Sequence, residues 1–250
     1  GYDEGVPIVN GASLLASPGE IFAVIGPNGA GKSTLIKAIA GLVPIRAGTV
    51  TLAGRDITRL AAHLMVGHGL AFVPQTENVF ALMSVEDNLR LSAHVLELRL
   101  RSTRIQEVYA FFPDLACRRR MAAGRLSGGQ RQMLAVARAL MVGPKVLMLD
   151  EPSAGLSPKL LVSVFEKLQE IRKSGVAIVL VEQNAHAALA IADRAYVLVE
   201  GKERRRGKAS ELRNDLELAT DYLGSGRRSG AEGMRIPTQG AGQPQAEGSA

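Results

Sequence analysis

The stretch Ile21-Phe22-Ala23-Val24-Ile25-Gly26-Pro27-Asn28-Gly29-Ala30-Gly31-Lys32-Ser33-Thr34 decides how the rest of the chain is read. Five apolar residues in unbroken succession describe a strand covered on both faces, the condition of a parallel strand inside an α/β sheet. Gly26 to Ser33 then match the spacing GxxxxGK[ST], and a helical pattern runs from Thr34 to Ala40. In that order the glycines let successive backbone N–H groups curl around an anion with no Cβ in the way, and the helix turns its positive end to the same point. Lys32 is expected to bridge the β and γ phosphates of a nucleoside triphosphate such as ATP, and Ser33 to offer its hydroxyl to Mg²⁺. Gly26, Pro27, Asn28, Gly29, Ala30, Gly31 and Thr34 complete the cradle.

Further along, Val146-Leu147-Met148-Leu149 is a second buried strand, and it ends in Asp150-Glu151. Open α/β sheets bind their ligands at the carboxyl ends of their strands, so this pair of acids is expected beside the phosphate loop. Asp150 is suited to hold Mg²⁺, and Glu151 to orient or deprotonate the water that attacks the γ-phosphate. Ala177 to Val181 and Tyr196 to Val199 read as two more buried strands. Between 150 and 177 a helix is expected from Ser157 to Lys173, with Ser157 as N-cap, Pro158 at the first helical position and Gly175 just past the end. Strand, helix, strand implies a mostly parallel sheet.

No strand run interrupts residues 84 to 140, so a helical subdomain inserted into the α/β core is expected there. It includes a helix from Ser84 to about Arg101 and another from Thr103 to Phe112, stopped by Pro113. Ile8 to Leu15 and Thr49 to Leu52 read as a small N-terminal antiparallel β piece. From Ser225 the sequence turns to Gly, Ser, Gln, Pro and Ala, a composition that cannot offset its ordering entropy. The folded unit is therefore expected to span residues 1 to 224, with a disordered tail over 225 to 250.

Composition excludes other classes. The chain has 250 residues, 46% of them hydrophobic and 22% charged, enough to bury roughly 70 to 75% of the unfolded surface in one unit or two small lobes. Cys117 is the single cysteine, so no internal disulfide forms and a reducing compartment fits. No apolar run reaches the ~18 residues of a membrane span. The chain opens at Gly1 without methionine or a basic-then-apolar leader, which reads as a trimmed fragment and not a processed secretory product. A net charge of +6 raises nucleic acid as a partner, but aromatic residues make up 4% and Trp is absent, so stacking platforms are poorly supplied and none is expected. The basic groups Arg118 to Arg120 and Lys202 to Arg206 read as hydrated surface.

Leu126-Ser127-Gly128-Gly129-Gln130 precedes a helical stripe of Met133, Leu134, Val136, Ala137, Leu140 and Met141. Ser127 and Gln130 form a capping box. Two glycines in a first helical turn cost about 1 kcal/mol each against Ala, which capping leaves unexplained and an approaching phosphate would explain.

With phosphate loop, LSGGQ and Asp-Glu strand end in this order, the chain resembles the ATP-binding cassette family. The strings Leu126 to Met141, Glu151 to Pro158 and Val181-Glu182-Gln183-Asn184-Ala185 look most like the shorter ATPase subunit of branched-chain amino acid importers. The resemblance implies an ATPase at the cytoplasmic face of the inner membrane, energising permease subunits and indirectly served by a periplasmic or extracellular solute-binding protein. It implies that Gln75 senses Mg²⁺ and couples to the helical lobe, and that Tyr2 stacks on adenine. Two such domains would pair head to tail, with Ser127, Gly128, Gly129 and Gln130 serving the partner's nucleotide and Lys32, Gln75, Asp150 and Glu151 the chain's own.

The pattern departs in two places. Gln183 stands where many relatives have a histidine contacting the γ-phosphate, and an amide brings no titratable proton. A heterodimer whose partner carries the histidine is therefore expected; His186, a turn later, reads as a solvated helix residue behind the N-cap Asn184. Ala154-Gly155-Leu156 also lacks the aspartate often found there, so communication between the two sites is expected to be altered. Two alternatives stand beside transport: a cassette ATPase acting on nucleic acid or the ribosome, opposed by the single cassette and the lack of heptads between Gly31 and Leu126, and a nucleotide-binding scaffold without hydrolysis, opposed by Glu151.

Overall fold

A computed structural model describes residues 7–214. Tyr2, the domain end expected at residue 224 and the tail expected over 225 to 250 lie outside the described residues. The chain runs β1 (Ile21–Ile25), α1 (Lys32–Ile39), β2 (Thr51–Leu52), β3 (Arg55–Asp56), α2 (Ala62–Met65), β4 (Leu70–Val73), α3 (Val85–Ser92), α4 (Leu98–Phe111), α5 (Pro113–Cys117) and α6 (Gly128–Leu140). It continues through β5 (Val146–Asp150), α7 (Pro158–Lys173), β6 (Ala177–Glu182), α8 (Ala185–Ile191), β7 (Arg194–Val199), β8 (Lys202–Lys208) and α9 (Ala209–Arg213).

Six strands form one sheet in the order β4-β5-β6-β1-β7-β8, parallel throughout except for the antiparallel edge strand β8. Alternate residues of the central strands face two separate cores. Ile21, Ala23, Ile25, Ile178 and Leu180 face the layer that includes α6 and α7, whereas Phe22, Val24, Val179 and Val181 face α1. Both faces being covered is why these strands read as unbroken apolar runs.

The sheet order places β1 beside β6, and β6 beside β5, in parallel register. The loops leaving the carboxyl ends of β1, β5 and β6 therefore open on one edge. β4 and β5 are neighbours, Leu70 opposite Val146, although the helices α3 to α6 lie between them in sequence. The helical insertion thus leaves and re-enters the sheet at adjacent strands. Its hinge side is held by Asn88, a fully buried amide whose oxygen accepts from the Phe80 N–H at 2.9 Å and whose nitrogen donates to the carbonyls of Phe80 and Ser84 at 3.0 and 2.9 Å.

Three expectations are corrected. The helix expected from Ser84 to Arg101 ends at Ser92, and the one expected from Thr103 starts at Leu98. The break is at Leu96, which is extended, and the Arg101 guanidinium reaches back to the carbonyls of Leu96 and His94 at 3.0 and 2.8 Å, satisfying groups the turn leaves open. Ile8 to Leu15 forms no strand; the segment is tied by the Asn10 N–H to the Gly201 carbonyl at 2.8 Å, and the antiparallel piece is the hairpin of β2 and β3 instead. Lys202 to Arg206 keeps its expected surface position, with Lys202, Arg204 and Arg206 exposed, but does so as part of the edge strand β8, where Arg206 pairs with Glu203 at 3.2 Å.

Candidate active site

The phosphate loop follows β1 as a turn with Gly29 and Gly31 at φ +79° and +94°, backbone that L side chains rarely adopt. At Gly31 a Cβ would also lie 2.9 Å from Val9 Cγ2, so glycine is required there twice over. Lys32 opens α1 and is 4% exposed. Its Nζ donates to the Gly26 and Pro27 carbonyls at 2.8 and 3.1 Å and stands 3.4 Å from Glu151 Oε1. An ammonium has three donors and no acceptor, so the buried charge is satisfied by the loop's carbonyls and one carboxylate.

Asp150, at the end of β5, is 2% exposed and accepts from the Ser33 hydroxyl at 2.9 Å. Burial holds its carboxyl above the usual range and the Glu151 charge adds to this, while the Ser33 hydrogen bond and the charges of Lys37 and Lys32 oppose it. A buried carboxylate touching a hydroxyl is an all-oxygen donor pair of the kind Mg²⁺ takes, and a cation would relieve the burial of the anion, so these residues fit that ion. Among the described residues no cluster of three or more His, Cys, Asp or Glu forms a metal cage, and Mg²⁺ typically completes its shell with water and substrate phosphates.

Glu151 adopts φ +46°, a strained conformation for a non-glycine residue. It is held by its own N–H, which donates to the Val181 carbonyl at 2.9 Å, and by its carboxylate. Glu151 Oε2 accepts from Gln75 Nε2 at 3.0 Å while Oε1 faces Lys32. Gln75 sits just after β4, at the entrance to the helical lobe. Its loop is tied to α6 by Asn78, whose Nδ2 donates to Gln132 Oε1 at 3.2 Å, and by Arg138, which donates to the Asn78 carbonyl and stacks over the Phe80 ring at 4.6 Å.

The structure therefore brings Lys32, Ser33, Gln75, Asp150 and Glu151 into one contiguous set. Gln183 lies beyond them, exposed, on a cleft of about 280 Å³ shared with Glu151, Ser153, Ala154, Glu182 and Asn184. His186 is exposed on α8 behind Asn184, whose side chain caps that helix through the Ala187 N–H at 3.0 Å.

Ser127, Gly128, Gly129 and Gln130 sit at the start of α6, and no hydrogen bond or ion pair among the described residues joins them to that set. Their capping box is closed in both directions, at 3.3 and 3.1 Å. Gly129 has an internal reason: a Cβ would come within 2.8 Å of Leu160 Cδ2 on α7. The phosphate argument for both glycines thus reduces to Gly128, which has ordinary clearance.

Two site residues have no place in the sequence reading. Glu182 is 1% exposed and ends β6; it accepts from the Ser153 N–H at 3.0 Å and the Ser153 hydroxyl at 2.6 Å. Burial pushes its carboxyl up to about 7, with the Glu151 charge adding and the Ser153 and Gln183 hydrogen bonds opposing. The signal was available, because a carboxylate closes the apolar run of β6 just as Asp150 closes that of β5.

Comparison with known proteins agrees with this geometry. The ABC transporter family model matches residues 9–154. A probable branched-chain amino acid transport ATP-binding protein, LivF, from Archaeoglobus fulgidus is 47% identical over 193 residues, covering 77% of this chain and 82% of that one. BraG, a high-affinity branched-chain amino acid transport ATP-binding protein of Pseudomonas aeruginosa, is 37% identical over 223 residues, with 89% and 96% covered. The lipopolysaccharide export system ATP-binding protein LptB of Escherichia coli is 33% identical over 224 residues, with 88% and 92% covered. Among solved structures, the ADP conformation of an ATP-binding cassette of an ABC transporter superposes with a TM-score of 0.79 at 27% identity, over 87% of this chain and 92% of that one. With its phosphate loop and acidic strand end converging on one sheet edge, the chain belongs to the ABC transporter family and is an ATPase of its ATP-binding cassettes.

Proposed function

We propose that the chain is the ATP-hydrolysing subunit of a membrane importer for branched-chain or related amino acids. The observation that carries the chemistry is the contact set Lys32–Glu151–Gln75 beside Ser33–Asp150. An arriving triphosphate offers Lys32 stronger anionic acceptors than the Gly26 and Pro27 carbonyls, and the backbone from Gly26 to Thr34 wraps it. Ser33, Asp150 and Gln75 would hold Mg²⁺, which supplies charge neutralisation at the phosphate oxygens. Glu151, freed from Lys32, orients and deprotonates the attacking water, with Gln75 setting its direction. Gln183 donates one hydrogen bond to the γ-phosphate but carries no proton to exchange. Tyr2 is assigned to the adenine.

Ser127, Gly128, Gly129 and Gln130 present a capped helix start to a second cassette subunit, and the absence of a titratable group at 183 favours a heterodimer whose partner supplies the faster site. A bacterial ABC transporter cassette with 25% identity and a TM-score of 0.70 is dimeric, which supports the pairing. Closure on ATP and opening after hydrolysis would move permease subunits docked on the helical lobe, where Leu82, Val95 and Leu98 are 99%, 67% and 80% exposed. Among the described residues no helix is long and apolar enough to cross a membrane; the peripheral position on the cytoplasmic face is proposed from the likeness to transport ATP-binding proteins. The folded unit is assigned to residues 1–224, with 225–250 as an appended tail. Nucleic acid is not among the partners assigned.

The identity to LivF and BraG supports amino-acid import, and the 33% identity to LptB supports a second reading in which another solute is moved. Co-purification with the permeases encoded beside this chain, followed by ATPase assays with leucine-type amino acids and with lipopolysaccharide, separates the two. Glu151→Gln in this chain alone should lower turnover of the mixed pair less than the same change in its partner. Equal losses would refute the asymmetry.

A further inference from the structure

We infer that Glu182 is a positioning residue that clamps the loop from Glu151 to Leu156, through Ser153, to the end of β6 and thereby holds Glu151 in its strained working conformation. The inference rests on Glu151 acting as the base.

A carboxylate 1% exposed is a costly choice for the last position of a buried strand, where an apolar residue or a threonine would end the run more cheaply. Here Ser153 engages both carboxylate oxygens, Oε1 taking its N–H and Oε2 its hydroxyl, with the Gln183 backbone N–H as a further donor to the carboxylate. Ser153 is two residues beyond Glu151. The other end of the loop is fixed by the Glu151 N–H on the Val181 carbonyl, so β6 grips the loop at two successive residues, once by backbone and once by the Glu182 side chain.

Glu151 at φ +46° lies between those two grips. Such a conformation persists only where its surroundings over-determine it. The Glu151 carbonyl also accepts from the Ala154 N–H at 3.1 Å, but that bond lies inside the loop. With the Ser153 grip removed, the whole turn loses its side-chain tie to β6 and Glu151 can relax toward ordinary backbone, its carboxylate turning away from Gln75 and Lys32. The same loop carries Leu156, whose Cδ2 lies 3.4 Å from the Cβ position of Gly128, so the clamp also fixes what packs beneath the start of α6. Glu182 itself is one residue from Gln183 and lines the same cleft as Glu151. It therefore ties the two loops that border the cleft to one another.

The experiment measures steady-state kcat and KM for ATP, and ATP affinity by calorimetry, for the full chain carrying Glu182→Ala, Glu182→Gln, Ser153→Ala or Glu151→Gln. Misplacement of a reacting group by about 1 Å costs on the order of 10²-fold in rate. Glu182→Ala should therefore lower kcat about 100-fold and Ser153→Ala, which keeps its N–H bond, about 3- to 10-fold, with affinity for ATP within about twofold of the unchanged chain. Glu182→Gln should recover most of the rate, because its amide oxygen can accept the Ser153 N–H while its NH₂ donates to the Ser153 hydroxyl. Glu182→Ala in the Ser153→Ala background should cost no more than Glu182→Ala alone. The inference is overturned if both Glu182→Ala and Ser153→Ala keep normal kcat, or if kcat and affinity fall together. Should Glu182→Ala fail to fold, Ser153→Ala decides: normal kcat overturns the clamp. Normal turnover in Glu151→Gln instead refutes the base assignment, which is a separate failure.

Discussion

Glu182→Gln should change how stability depends on pH, and the change can be worked from the structure. In the unfolded chain the Glu182 carboxyl ionises near 4.5, whereas burial in the fold raises it to about 7. The folded state therefore keeps a proton that the unfolded state has lost over that window. The raised value contributes stability that is complete below 4.5 and is lost as pH climbs to 7. At 1.36 kcal/mol for each pH step, the wild-type chain gives up about 2 to 3 kcal/mol between pH 5 and pH 8 that a neutral amide would not. For a chain of this size about 1 kcal/mol moves the melting temperature by 2 to 4 °C. Melting the two proteins at pH 5 and pH 8 without nucleotide should show the gap between them move by roughly 5 to 10 °C in favour of Glu182→Gln at the higher pH. All other titrating groups are shared and cancel in that difference. A gap that stays the same at both pH values, or moves toward the wild type as pH rises, would refute the burial argument.

Lys32→Ala removes a donor that the triphosphate would otherwise engage through charge-assisted bonds of about 1.5 to 3 kcal/mol each; two such bonds imply roughly a 100-fold or greater loss of ATP affinity by calorimetry, and a change under threefold would contradict its role. Gly129→Ala places a Cβ 2.8 Å from Leu160 Cδ2, an overpacking of about 1 to 3 kcal/mol offset by up to about 1 kcal/mol of helix propensity. Thermal melts should show net destabilisation, made smaller when the same change is introduced in a Leu160→Ala chain, where only the Cβ of residue 160, at 3.2 Å, still crowds it. Asn88→Ala leaves the Phe80 N–H without its partner and removes one of the two donors to each of the Phe80 and Ser84 carbonyls, which keep the Met83 and Asn88 backbone N–H groups; it should cost about 1 to 3 kcal/mol and speed hydrogen exchange across residues 80–84 while leaving β1 and β6 protected.

The strands at Ile21, Val146, Ala177 and Tyr196 were legible because burial on both faces writes an uninterrupted apolar run into the chain. β8 was not. An antiparallel edge strand needs only one covered face, and its Lys-Glu-Arg-Arg-Arg run presents charge at every exposed position. The break between α3 and α4 was equally hidden, since no Gly or Pro marks it and the Arg101 guanidinium that satisfies the turn comes from five residues on.

The same division runs through the site. Lys32, Ser33, Asp150 and Glu151 could be assigned from spacing, because the turn, the helix start and the strand end that present them are each built from consecutive residues whose conformational needs are local. Gln75 came only from family resemblance, and its contact with Glu151 exists because the β4-β5 pairing sets the two loops side by side. Gly129, whose local helical cost suggested a ligand, has a packing reason as well, since a Cβ there would crowd Leu160. Glu182 reaches Ser153 because β5 and β6 are neighbours in the sheet. Spacing along a chain encodes what a segment can do alone, but which segments meet is set by the burial of whole strands and helices, and only that packing shows a buried carboxylate its partner.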